Sequence, residues 1–200
     1  GGDITTRHNG LRDDCFFRCL AAGIEAEREV TKLLPDDPNR RPADVFIPTC
    51  PGKGALALDF AVTCPLQHGM VRDAANRTLA AAMDYEAHKL ADRHTAQRCA
   101  DLGFQLTPMV AETLGGWGPM AQEVFRAIAK TTAESKGIDV SMATCQLYEA
   151  LGVRLQRANA RAILSRITAA TAAGRNNTAL ATTSSEAALV LAAAALETAA

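Results

Sequence analysis

Hydrophobic residues recur along this chain at two different periods, and the switches between them divide it into elements. Leu11, Cys15, Phe16, Cys19 and Leu20 fall at helical spacing, and Gly23 stands where a helix would end. This predicts a first helix opening around Thr5-Thr6-Arg7-His8-Asn9 and running to about Ala22. Ile24 to Leu34 reads as an extended segment in which Glu25, Glu27 and Glu29 alternate loosely against Ile24, Ala26 and Val30. Pro35-Asp36-Asp37-Pro38-Asn39 is a turn or loop. Two short apolar runs rich in Val, Ile and Phe follow, Val45-Phe46-Ile47 and Ala57 to Thr63, which is the pattern of strands. The Pro- and Gly-bearing segment between them predicts a connection that sets the two strands side by side. With a period of two, Leu58, Phe60 and Val62 share one face of the second strand and are expected in the core. Asp59, Ala61 and Thr63 share the other, expected to line a polar cleft.

Beyond Pro65 and a short loop to Met70, Val71 to Leu102 reads as one long Ala-rich helix closed by Gly103. Phe104 to Ala111 is a further strand, with Pro108 pointing to a sheet edge or a bulge. Thr113 to Gly118 is a loop, and Pro119 opens a helix to about Ser135, with Gly137 after it. A last helix begins near Asp139 or Ser141 and is expected to break at Gly152 and continue to about Ala173. From Gly174 onward the chain is an Ala, Thr, Ser and Asn tail of low complexity. Helices flanking strands in this order imply an α/β domain over 1–136, a helical extension over 137–173 and a tail over 174–200.

Composition narrows the classes. The 200 residues are 48% hydrophobic and 22% charged, suited to a packed core. No apolar stretch is long and bulky enough to be a membrane span. The first residue is Gly, with no signal pattern after it, as in a piece of a longer polypeptide. Six cysteines occur without a CxxC pair, which argues against a zinc finger and for reduced thiols. The net charge of −1 is against nucleic-acid binding by bulk electrostatics. Distribution matters more: no acid lies between Glu149 and Glu186, while Arg154, Arg157, Arg161, Arg166 and Arg175 do. Arg154, Arg157 and Arg161 would stack on one helix face, either to track phosphates or as a solvated surface.

The most chemically pointed feature is the acid pair. Asp44 in Arg40-Arg41-Pro42-Ala43-Asp44 and Asp59 in Leu58-Asp59-Phe60-Ala61-Val62-Thr63 would sit on neighbouring strands. Two such carboxylates repel unless a cation lies between them, and Mg²⁺ takes one or two carboxylates plus substrate phosphate and water. The alternative is that both are strand-end residues on a solvated face.

The residues R-P-A-D…L-D-F-A-V-T and the element order resemble the PD-(D/E)xK nuclease superfamily, whose core is α-β-β-β-α-β. The nearer resemblance is to the restriction-like endonuclease domain of non-LTR retrotransposon reverse transcriptase polyproteins. It covers residues up to about 135, on Arg7-His8-Asn9, Arg41-Pro42-Ala43-Asp44, and a second acid, Asp59, separated from Asp44 by fourteen residues. The resemblance implies a metal-dependent endonuclease that nicks DNA to prime reverse transcription. It implies Mg²⁺ (or Mn²⁺) on Asp44 and Asp59, and a catalytic lysine. Family members commonly carry that lysine two residues after the second acid, where this chain has Ala61; in the retrotransposon branch it is often displaced onto the following helix, which here offers Lys89. It further implies DNA as partner, upstream reverse transcriptase and zinc-knuckle regions in the same polypeptide, and an intracellular, nuclear setting.

Accessory candidates surround this set. His8 could carry a proton and Arg12 clamp a phosphate, or each could serve in capping and packing. Glu86, one turn before Lys89, either assists the lysine or forms a surface ion pair with it. Glu112 is an outer metal ligand or a solvated loop acid. Arg40, Arg41 and Gln67 are candidates for DNA contact, and Trp117 is either a base-stacking platform or a plug for its loop. Against the nuclease stands a catalytically decayed nucleic-acid-binding relative of the same fold, supported by Ala61, and a scaffold whose acids are merely structural.

Overall fold

A computed structural model describes residues 2–38 and 40–174, so the tail expected over 174–200 lies outside the described residues beyond Gly174, as does Arg175. In chain order the elements are α1 (Gly2–Ala21), β1 (Glu27–Arg28), β2 (Val45–Cys50), β3 (Gly54–Thr63), α2 (Val71–Asn76) and α3 (Ala80–Ala91). A 3₁₀ turn (Asp92–His94) then leads to α4 (Thr95–Asp101), β4 (Phe104–Glu112), α5 (Pro119–Lys136) and α6 (Val140–Gly174). Among the described residues, those up to Gln156 form one compact unit and 157–174 belong to a second.

The sheet runs β1-β2-β3-β4, with β1, β2 and β3 antiparallel in turn and β4 parallel to β3. The fold is therefore α/β with a mixed four-stranded sheet. A tight connection with Gly52 and Gly54 at positive φ joins β2 to β3, as the Pro-Gly segment predicts. Pro108 lies on an edge strand. Val110 accepts from Gly118 N–H and Glu112 donates to the Gly116 carbonyl, so backbone groups of that parity point away from β3. Pro108 has the same parity, and its missing N–H removes no ladder bond.

The two faces of β3 are packed differently. Leu56, Leu58, Phe60 and Val62 enter the main core with Leu11, Cys15 and Cys19 of α1, and with Val124, Phe125 and Ile128 of α5. Ala143, Leu147, Leu151 and Leu155 of α6 join the same core. The first half of α6 thus belongs to the compact unit, which extends past the expected boundary at residue 136, and Gly152 lies within an unbroken helix. The opposite face is polar only around Asp59 and is otherwise closed by packing. Ala57 packs with Leu34, Cys99, Phe104 and Leu106, and Ala61 with Ala82 and Val110, so small residues let α3 and α4 lie close on the sheet.

Two further expectations fail for tertiary reasons. The extended segment Ile24–Leu34 contributes only two ladder residues, and Glu29 and Lys32 adopt positive φ beyond them. The long helix expected over Val71–Leu102 is broken at Leu79 and again at Arg93 and His94, all with left-handed backbone. Alanine favours helix everywhere, but α3 begins where a buried carboxylate from β4 waits for it, and α4 turns so that Thr95 and Cys99 are buried. Left-handed residues cost about 1–2 kcal/mol each, which the docking of both helices offsets.

Candidate functional site

The register that pairs Val45 with Leu58 and Phe46 with Ala57 brings Asp44, just ahead of β2, level with Asp59 on β3. The ladder does not continue through Asp44. Its N–H donates to the Leu58 carbonyl at 2.8 Å, and its carboxylate Oδ2 accepts the Phe60 N–H at 2.6 Å. The side chain thus takes the place of a strand at the exposed end of β3 and is fixed in direction.

The same Oδ2 lies 3.0 Å from Nε2 of His8, whose Nδ1 lies 3.1 Å from Oδ1 of Asn9. Asp44 can only accept, so Nε2 is the nitrogen that donates to it. The hydrogen bond to Asp44 is the main reason the His8 pKa rises above its ordinary 6.5, with burial working against it. Arg7-His8-Asn9 thereby brings one member to the acid pair.

Asp59 faces the α3 side. Burial pushes its carboxyl up from the ordinary carboxylate range, and the Lys89 ammonium draws it back. Asp44 raises it further and His8 lowers it, placing all four groups in one electrostatic neighbourhood. Lys89 Nζ is 2.5 Å from Asp59 Oδ2 and 5.8 Å from the ring centre of Tyr85, one turn back on α3. Ala61, where the usual lysine would stand, is buried against Ala82 and leaves no room for one.

Four accessory candidates are used otherwise. Glu86 does not pair with Lys89: it is buried and accepts the Met120 N–H at 3.2 Å, capping α5. Burial raises its pKa, and bonds from Met120 and Ala121 oppose the rise. A Cβ at Gly118 would meet its Oε1 at 2.0 Å, so that position excludes a side chain. Glu112 is neither solvated nor turned to the acid pair; it accepts the Ala82 N–H at 3.1 Å in the first turn of α3. Anionic caps suit helix N-termini, where N–H groups lack partners. Arg12 bonds Asp13 and Glu29 and so is held by acids outside the pair. Trp117 is buried edge-on against Phe125 and anchors its loop, which leaves no face for stacking a base.

Of the candidates for DNA contact, Arg40 pairs with Asp92 at 2.8 Å and Arg41 with Glu29 at 3.1 Å. Gln67 is exposed in the turn after Pro65. Arg154 is held by Asp14 through two bonds of 2.9 Å, which removes it from a free basic stripe, while Arg157 and Arg161 are exposed. All six cysteines are free. No helix among the described residues is long and apolar enough to cross a membrane.

Sequence reasoning missed Tyr85, His88 and Thr95, which line a cavity of about 210 Å³ with Asp59 and Lys89. The spacing of Tyr85, His88 and Lys89 on one helix could have signalled the first two. Thr95 carried no signal, because it reaches the cavity only through the helix break.

Among the described residues no group of three or more His, Cys, Asp or Glu is gathered to hold a metal. The donor set at the site is two carboxylates, each bound to protein through Oδ2. This fits a small hard cation that keeps much of its water, such as Mg²⁺, and not zinc, which would want thiolates or imidazoles. No family model matches this chain, and neither a curated protein nor a solved structure matches it.

Proposed function

We propose that this domain is a metal-dependent endodeoxyribonuclease with a PD-(D/E)xK-type core, of the kind found in non-LTR retrotransposon polyproteins. The observation that carries the reading is the approach of Lys89, from the helix after the strand pair, to the second acid of β3. That is where a displaced lysine should stand when position 61 holds alanine. The order of one helix, three strands, helices and a parallel fourth strand supports it as well.

In this reading Asp44 and Asp59 would hold Mg²⁺ or Mn²⁺, which would polarise the scissile phosphate and lower the pKa of an attacking water. The chain's own residues do the rest. Phe60 N–H and His8 fix the direction of the Asp44 carboxylate. Lys89 holds a positive charge beside Asp59, where negative charge on phosphate oxygens develops. His8 holds a proton on Nε2 at the same site. DNA affinity and target choice come from neighbouring parts of the same polypeptide, consistent with a net charge of only −1.

Plasmid nicking with Mg²⁺ or Mn²⁺ tests this, run on the wild type, Asp44→Asn, Asp59→Asn and Lys89→Ala, each checked for folding by circular dichroism. The expected outcome is metal-dependent nicking that falls by at least about 100-fold in each variant, as for loss of one transition-state charge contact. Nicking that persists without metal, or in both Asp variants, would sink the proposal. A folded wild type that neither nicks nor binds Mn²⁺ by calorimetry would point to the decayed relative.

A further inference from the structure

The cavity beside Asp59 has a composition that the nuclease reading does not require. Its wall carries three cations, Arg40, Arg41 and Lys89, which are paired with Asp92, Glu29 and Asp59 and would exchange those partners for a bound phosphate. It also carries an aromatic pair on α3: the rings of Tyr85 and His88 lie 6.0 Å apart, and Tyr85 is 40% exposed. Pro42 and Leu106 supply an apolar lining. Thr95 completes the wall; it is 3% exposed, and its hydroxyl has no hydrogen-bond partner among the described residues. Buried hydroxyls are rarely left so. The backbone at its rim is strained as well, since Arg93 and His94 both adopt positive φ between Asp92 and Thr95. Such conformations persist where the surroundings enforce them, and they cluster at ligand sites.

We propose that this cavity binds one unpaired nucleotide of a DNA strand, with its phosphate toward Arg40, Arg41 and Lys89 and its base against Tyr85. A bare anion would leave the aromatic and apolar lining without purpose. At about 210 Å³ the space is below the roughly 300–1,000 Å³ of sites for drug-sized ligands, so it admits no more than one nucleotide, part of which stays outside it. A base in an intact duplex is stacked and paired and cannot enter a cavity, so its occupant is a nucleotide that is single-stranded or turned out. Neither Asp44 nor His8 lines the cavity, while Asp59 does. The bound nucleotide would therefore adjoin the scissile phosphate on the side away from Asp44. The choice of DNA as its source rests on the nuclease reading above; the nucleotide chemistry stands on the cavity alone.

The test is titration of metal-free protein in EDTA with dTMP, thymidine or inorganic phosphate, followed by NMR shifts. A 5′-labelled single-stranded oligonucleotide and a hairpin duplex of the same sequence are compared by anisotropy. dTMP should bind at least about tenfold more tightly than thymidine or phosphate, and single strand more tightly than duplex. Tyr85→Ala should weaken dTMP about tenfold, the loss typical of a stacked base. Thr95→Val, which keeps shape, should weaken it about fivefold with an unchanged near-ultraviolet spectrum. Phosphate binding as tightly as dTMP, or both variants binding dTMP like wild type, would overturn the proposal. The two readings fail separately. Tyr85- and Thr95-dependent dTMP binding by a protein that never nicks removes the nuclease and keeps the cavity. Nicking with both variants indifferent does the reverse.

Discussion

The two faces of β3 come from alternate residues of one strand and do opposite things. On one, Leu56, Leu58 and Phe60 interlock with α1, α5 and α6 in a core of large side chains. On the other, the small Ala57 and Ala61 of β3 let α3 and α4 lie close to the sheet, with Asp59 between them. The large-residue face holds the fold together. The small-residue face gives up burial, and what it gains is a helix, α3, near enough to deliver Lys89 to Asp59 and Tyr85 to the cavity. The proposed site sits on the thin face because a carboxylate needs a partner brought to it, and close packing brings one.

The sharpest way to break this comparison is to thicken the thin face. Ala61→Lys would insert a long charged chain between Leu79, Ala82 and Val110. Overpacking and the buried charge together should cost about 3 kcal/mol, read by urea denaturation, without any gain in nicking. A variant as stable as wild type that nicks faster would mean that the face has room and that Lys89 is not the displaced lysine.

A smaller effect, of opposite sign, is expected from the charges themselves. Burial raises the Asp59 pKa, so the folded chain holds this proton more tightly than the unfolded chain does. Its contribution to stability is therefore lost as pH rises through that raised value, and the ionised pair is an expense at neutral pH. Asp59→Asn combined with Lys89→Met should stabilise the protein at pH 7 by about 1 kcal/mol, or roughly 2–4 °C. The gain should shrink as pH falls toward the ordinary 3.8, and nicking should be abolished. Equal or lower stability at pH 7 would show that the ion pair holds the two layers together.

The smallest expected effect concerns His8. Its pKa is raised by Asp44, so its contribution is complete below its ordinary 6.5 and is lost as pH rises through the raised folded value. His8→Gln should then cost a few tenths of a kcal/mol to about 1 kcal/mol at pH 5.5 and less above that window. A cost independent of pH would mean that His8 matters by packing alone.

Much of the local order was legible in the chain. Gly23 and Gly137 stop helices, Pro119 starts one, Gly52 and Gly54 turn a hairpin, and Pro108 marks an edge, because each constraint acts on the residue that carries it. The acid pair was legible for the same reason: a two-residue period and a short connection set Asp44 and Asp59 on adjacent strands. The roles of Glu86 and Glu112 were not. At the level of sequence each is an acid on a helix or at a strand end. What turns them to the starts of α5 and α3 is the need of those N–H groups for a partner, and that partner is 30 or more residues away.

The sequence by itself determined which residues could be helix, strand and turn, and which side chains could carry charge to a site. Tertiary structure alone decided where an Ala-rich run of helix formers would break, and hence that Thr95 and Tyr85 share a cavity with Asp59. It also decided that Lys89 meets an acid while Glu86 meets a helix end. Propensity and periodicity act over a few residues, whereas the capping of one helix by another strand's carboxylate is settled only when distant segments are packed together.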